Sequence, residues 1–214
     1  FRFVRWEKGK EIVLAANPDY FDGPPKLSRI VYRIFPGTQL DTMYEEFQRG
    51  SLEDSPIPTR DYRRIVADKS HVYVKRPMIS VRFYGFNTRV KPFDDRRVRQ
   101  ALIHAIDREA IVKNLFAGTA KRLHSPGPAG SYGYTEAYDR YAYDPEKARR
   151  LLREAGQPTL SFAVHHTPGR YLLSGQVLEA IQGYLRQVGV TMRIVDLEWG
   201  TLSQMAAQPV DKNQ

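Results

Sequence analysis

Residues 2–6 and 11–16 alternate apolar with polar positions around Glu7-Lys8-Gly9-Lys10, the pattern of a β-hairpin closed by a glycine-bearing turn. A dense turn region follows over 17–25, and Ile30, Tyr32 and Ile34 then point one way along a strand predicted over 28–35. Leu40, Met43, Tyr44 and Phe47 recur at helical spacing, with Gly50 as a stop, and 59–66 carries a weaker helical pattern. The run 78–88 is apolar and β-branched enough to predict a strand, broken by Pro92-Phe93. From Asp94 or Asp95 the stripe Val98, Ala101, Leu102, Ala105, Ile106, Val112 and Leu115 predicts one long helix ending at Gly118. Residues 119–143, rich in Gly, Pro and Tyr, read as an irregular loop, whose Tyr132, Tyr134, Tyr138, Tyr141 and Tyr143 are expected to pin it to the body.

The next helix carries its own end signals: Asp144 as N-cap, Pro145 at the first helical position, and Gly156 just past the end. A βαβ unit completes the pattern, with strands predicted at 160–165 and 190–197 and a helix over about 172–188. The right-handed crossover rule makes the two strands parallel. The second half is therefore expected to build a self-sufficient α/β core, and no internal repeat is visible.

Composition narrows the function. With 42% apolar residues in 214, the chain can bury one or two cores, which excludes a disordered or collagen-like chain. The absence of cysteine removes thiol nucleophiles, zinc ribbons and CxxC redox chemistry. No apolar run approaches the roughly 20 residues of a membrane span. The opening Phe1–Trp6 reads as the middle of a strand rather than a leader, so the chain is expected to be a piece of a longer protein. A net charge of +9 raises nucleic-acid binding as an alternative. The bases, however, are spread along the chain beside acids, as in Asp94-Asp95-Arg96-Arg97. The tightest groups fall on predicted amphipathic helices, where they read as solvated faces.

Catalytic patterns are missing from the sequence. Adjacent His165 and His166 on a strand point to opposite faces and cannot chelate one metal as a pair, and no HExxH occurs. His104, inside a predicted helix, reads as a partly exposed structural residue. There is no GxSxG elbow, P-loop or GxGxxG. The expectation is a protein that is not an enzyme, with no cofactor and no metal. What remains lies at the carboxyl ends of the predicted parallel strands, where α/β sheets bind ligands. There Arg170 suits a carboxylate and Trp199 suits a pocket floor, although an exposed loop arginine and a core-edge tryptophan fit the same positions.

Several segments resemble the family 5 extracellular solute-binding proteins, the peptide-binding components of bacterial ABC importers. They are Phe86-Asn87-Thr88, the run from Pro92 through Leu102, and Ala105 to Val112. Tyr143-Asp144-Pro145-Glu146-Lys147-Ala148 with Glu154-Ala155-Gly156 joins them, as do Tyr20 to Gly23, Phe47 to Gly50, Leu185 to Val190, and Glu198-Trp199. The resemblance implies an α/β fold of the two-lobed, type II periplasmic-binding-protein kind, here truncated. Residues 1–82 would belong to lobe one, 83–88 would be a hinge-crossing strand with Gly85, Phe86 and Asn87 at the hinge, and 89–214 would form lobe two. It implies ligand contacts from Trp199, Arg170, Tyr171 and His165. It also implies a peptide or other small polar solute as ligand, a membrane permease as partner, a monomeric parent, and a periplasmic or cell-surface location with a possible lipid anchor. Lobe two is expected to be the better protected half.

Overall fold

The computed structural model describes residues 1–37, 39–75, 78–125, 127–137 and 141–208. Their contacts separate into two compact units, Phe1–Pro58 and Thr59–Gln214. Residues 59–82, expected to go with lobe one, cluster with the second unit.

The first unit is a three-stranded antiparallel meander, β1 (Arg2–Glu7), β2 (Glu11–Ala15) and β3 (Arg29–Arg33), in the order β1-β2-β3. The turn places Gly9 at φ 75°, and the Lys10 amide donates to Glu7 O at 3.0 Å. Helix α1 (Leu40–Gln48) follows and Gly50 ends it at φ 75°. Burial is thin: among the described residues of this unit only Val13, Tyr44 and Pro58 are buried, and every residue of β1 is exposed, including Phe3 at 66% and Trp6 at 57%.

The second unit opens with a 3-10 turn (Thr59–Asp61) running into α2 (Tyr62–Ala67). Residues 78–88 correct one expectation: they belong to neither sheet. Alternation makes a segment strand-competent, but a strand exists only where a neighbour supplies a ladder. Met78, Ile79 and Phe83 are accordingly 82%, 72% and 80% exposed, while Phe86 stacks on Phe93 at 5.1 Å against the core rim.

The single long helix expected from 95 to 117 is two, α3 (Arg96–His104) and α4 (Arg108–Leu115). Asp107 starts the second, its side chain accepting from the Ala110 amide at 2.9 Å. Asp95 caps α3 by accepting from the Arg97 amide at 2.8 Å, and the Arg97 guanidinium beside it holds its carboxyl below the usual range. The break buries His104, which is 3% exposed with Nδ1 2.7 Å from Ala142 O, rather than partly exposed as expected.

Helix α5 (Pro145–Glu154) matches its end signals. Asp144 accepts from the Lys147 amide at 2.9 Å, a cap of about 1 kcal/mol, and Gly156 turns out at φ 69°. Strands β4 (Ser161–His166) and β5 (Thr191–Asp196) pair in parallel across α6 (Ser174–Gln187). Gly189, at φ 85°, makes the turn into β5, where a Cβ would stand 2.8 Å from Pro158 O. A last helix, α7 (Trp199–Ala207), was not expected; Glu198 caps it by accepting from Gly200 and Thr201 amides.

One cluster unites these parts: Val98, Leu102, Leu152, Leu160, Leu178 and Leu185 are each at most 3% exposed. The loop 119–143 is held at one end, where Tyr141 faces His104 and Tyr143 meets Tyr184 edge to face at 5.6 Å. Tyr132, by contrast, is fully exposed, so it does not pin the loop, and Tyr138 lies outside the described residues. Because the second unit owns the core, β5 is expected to exchange its amide hydrogens more slowly than β3. Native-state exchange read by mass spectrometry checks this, and faster exchange in β5 would contradict it.

Candidate functional site

The carboxyl ends of the parallel pair β4 and β5 bring together most of the expected residues. The β4 end runs through Thr167-Pro168-Gly169-Arg170-Tyr171 into α6, and the β5 end through Leu197-Glu198 into Trp199, the first residue of α7. The Arg170 guanidinium lies 4.6 Å from the Trp199 ring centroid and 5.5 Å from that of Tyr171. Both rings are part-open, Trp199 at 40% and Tyr171 at 46% exposed, so the stack is a surface platform rather than a core contact. An indole face takes one side of a planar guanidinium and leaves its N–H edge available.

A second cation joins from the segment 78–88. Arg82 lies 5.8 Å from the Tyr171 centroid and donates to Leu172 O at 2.6 Å. Tyr84 beside it makes a long contact of 3.5 Å to Ser174 O, and burial pushes its phenol above the ordinary range against the pull of Arg82. Among the described residues neither Arg170 nor Arg82 has a carboxylate within ion-pair distance. Two guanidinium groups without internal counter-charges on an aromatic floor form an anion-receptive edge.

His165 sits on the opposite face of β4 from His166, and it is His166 that is buried, 8% exposed. Its Nδ1 is 2.9 Å from Asp196 Oδ1 and its Nε2 is 2.8 Å from Ser174 Oγ. The signal for this was present in the sequence: Leu160, Phe162 and Val164 set the inward parity of β4, and His166 shares it. Of the expected hinge residues, Gly85 is exposed with the Phe83 ring 3.7 Å from where a Cβ would stand, Phe86 is packed on Phe93, and Asn87 accepts from the Arg89 amide at 3.1 Å. Among the described residues no group of three or more acidic or histidine side chains could hold a metal ion.

Of the basic groups read as solvated faces, Arg96, Arg97, Arg150 and Arg153 are exposed, while Arg99, Lys147 and Arg149 are half-buried. Arg97 serves Asp95 and Glu154 O, Arg99 serves Phe93 O and Asp94 O, and Arg149 serves Glu146 and Gln187 O. A hollow of about 250 Å³ lined by Arg149, Arg153 and Gln187 opens at the far end of α6 from Ser174, where one of its two arginines is already taken by a helix-end carbonyl. Nothing supports the nucleic-acid alternative.

Residues 1–212 match the model of the bacterial extracellular solute-binding proteins, family 5, middle region. The dipeptide-binding protein of Escherichia coli (strain K12) is 31% identical over 205 residues, covering 94% of this chain and 38% of that protein. The oligopeptide-binding protein AppA from Bacillus subtilis, solved with a nonapeptide, superposes with a TM-score of 0.77 at 26% identity, over 98% of this chain and 44% of that one. A dipeptide-binding protein from Pseudoalteromonas sp. SM9913, solved with Met-Leu, gives a TM-score of 0.77 at 27% identity, over 94% and 40%. The chain thus spans about two fifths of the length of the proteins it matches. Its α/β fold is a portion of theirs.

Proposed function

The chain belongs to the bacterial extracellular solute-binding proteins of family 5, and on that premise we propose that it is part of the substrate-binding component of an ABC importer. It captures a peptide or similar small polar solute outside the cytoplasm and passes it to a membrane permease. The observation that carries this reading is the Arg170–Trp199 stack at 4.6 Å, with Arg82 alongside, at the carboxyl edge of the parallel strands. In this reading Arg170 presents its N–H edge to a ligand carboxylate, Trp199 and Tyr171 cover apolar ligand surface, and His165 lies at the rim. Capture is by binding and not by catalysis.

The same reading gives residues up to about 82 to the first lobe, 89–214 to the second, and 83–88 to the crossing, with Gly85, Phe86 and Asn87 absorbing the hinge motion. The exposed apolar alternation of 78–88 supports a crossing segment that pairs within a larger framework. The protein would act as a monomer at the periplasmic or cell-surface side, lipid-anchored or free.

Isothermal titration of the whole binding protein containing this chain tests the reading. Dipeptides, longer peptides, glutathione, oligosaccharides and nickel complexes form the panel. Saturable binding of at least one peptide class is expected; silence toward every member would overturn it.

A further inference from the structure

His166 ends β4 in register with Asp196, the last residue of β5, and the Leu197 amide donates to its carbonyl at 2.7 Å. An ionised carboxylate only accepts hydrogen bonds, so Nδ1 carries the proton toward Asp196 at 2.9 Å. In the neutral ring Nε2 is then the acceptor and the Ser174 hydroxyl donates to it at 2.8 Å; a charged ring would donate to Ser174 Oγ instead, and the tie holds in either state. Ser, His and Asp in this sequence of contacts are also the parts of a hydrolase triad. Here the Asp196 side chain is 61% exposed, so water competes for the carboxylate that a triad keeps buried.

The placement of the three residues points elsewhere. His166 and Ser174 are the two ends of the loop 167–173, which carries Arg170 and Tyr171. Asp196 stands three residues before Trp199. One buried imidazole therefore ties both ends of the arginine loop to the segment bearing the tryptophan. The loop needs such a tie: Leu173 is held at φ 57°, a left-handed conformation disfavoured for leucine, and gives α6 no side-chain cap.

We propose that His166, with Asp196 and Ser174, is a positioning residue that holds Arg170 over Trp199 and so sets how the edge presents its cation. The proposal rests on the reading of Arg170 and Trp199 as ligand contacts, but its test needs no ligand. In a Trp6→Phe background Trp199 is the sole tryptophan of the 214-residue chain. Arg170 covers one face of the indole, so Arg170→Ala should raise acrylamide quenching of Trp199 by about twofold. His166→Ala and Ser174→Ala should each approach that value and add little to it when combined with Arg170→Ala, because all act through one contact. Asp196→Asn retains an acceptor oxygen and should stay near the parent.

Wild-type quenching in both His166→Ala and Ser174→Ala would overturn the proposal, as would no response to Arg170→Ala. Ser174→Ala removes a single hydroxyl, so it keeps the test decisive if His166→Ala fails to fold. A fluorophosphonate probe is expected to leave Ser174 unmodified; covalent labelling there would mark a nucleophile and overturn a positioning role. Should the quenching pattern hold while the calorimetric panel stays silent, the ligand reading fails and the relay stands.

Discussion

Replacing Leu178 by alanine is expected to destabilise the second unit by about 2–5 kcal/mol, the range for emptying a fully enclosed leucine site. Leu178 is 1% exposed on the inner face of α6 and belongs to the cluster joining α3, α5 and α6 to the parallel pair. That cluster draws on five elements, α3, α5, α6, β4 and β5, so collapse into the void is limited. Urea unfolding followed by circular dichroism should show a lower midpoint at unchanged slope. Gln176→Ala, on the exposed face of the same helix, should stay within about 0.5 kcal/mol of the parent. Equal losses from the two substitutions would mean that α6 does not pack as described.

Arg170→Ala in the whole binding protein is expected to weaken carboxylate ligands by about 2 kcal/mol or more, roughly thirtyfold in Kd. The removed partner is a charge-assisted donor, and the ligand carboxylate is left unpaired. Arg170→Lys keeps the charge but loses the fork and the stack on Trp199, so it should fall between the two. Calorimetric titration of the three proteins with one dipeptide gives the order. If lysine matches arginine, the planar stack contributes nothing, and a general positive field suffices.

How much of this was readable beforehand varies by element, for physical reasons. Helix α5 was legible because its signals are local: Asp144, Pro145 and Gly156 satisfy end groups that any helix there must satisfy. The βαβ unit was legible because its apolar stripes change period from 2 to 3.6 and back. The break between α3 and α4 was hidden because the apolar stripe runs on through Ala105 and Ile106 while Asp107 begins a new helix. Asp107 with Ala110 three residues on was the available cue. Helix α7 carries a weaker mark, because its cap is Glu198, a residue less typical of N-caps than Asp, Ser or Asn.

Residues 78–88 failed differently, since no reading of one segment reveals whether a neighbour will hydrogen-bond to it. At the site, Arg170 and Trp199 followed from the rule that ligands gather at strand carboxyl ends and Tyr171 from the family resemblance, and the structure brings the three side chains together. Strand parity sets His166, and not the expected His165, on the core side of β4. Ser174 and Asp196 carry no local mark, because the bond between them runs through a residue distant from both in sequence.

In the proposed function Arg170 meets a ligand carboxylate. Titrating the whole binding protein with a dipeptide it binds, and with the C-terminal amide of that dipeptide, tests it most directly when repeated in Arg170→Ala. The amide is expected to bind the parent about thirtyfold more weakly than the acid, the scale of one charge-assisted pair at about 2 kcal/mol. Arg170→Ala should bring the acid down to the amide's affinity and leave the amide almost unchanged. An equal loss for acid and amide on removing Arg170 would contradict it, because the guanidinium would then be acting on something other than the carboxylate.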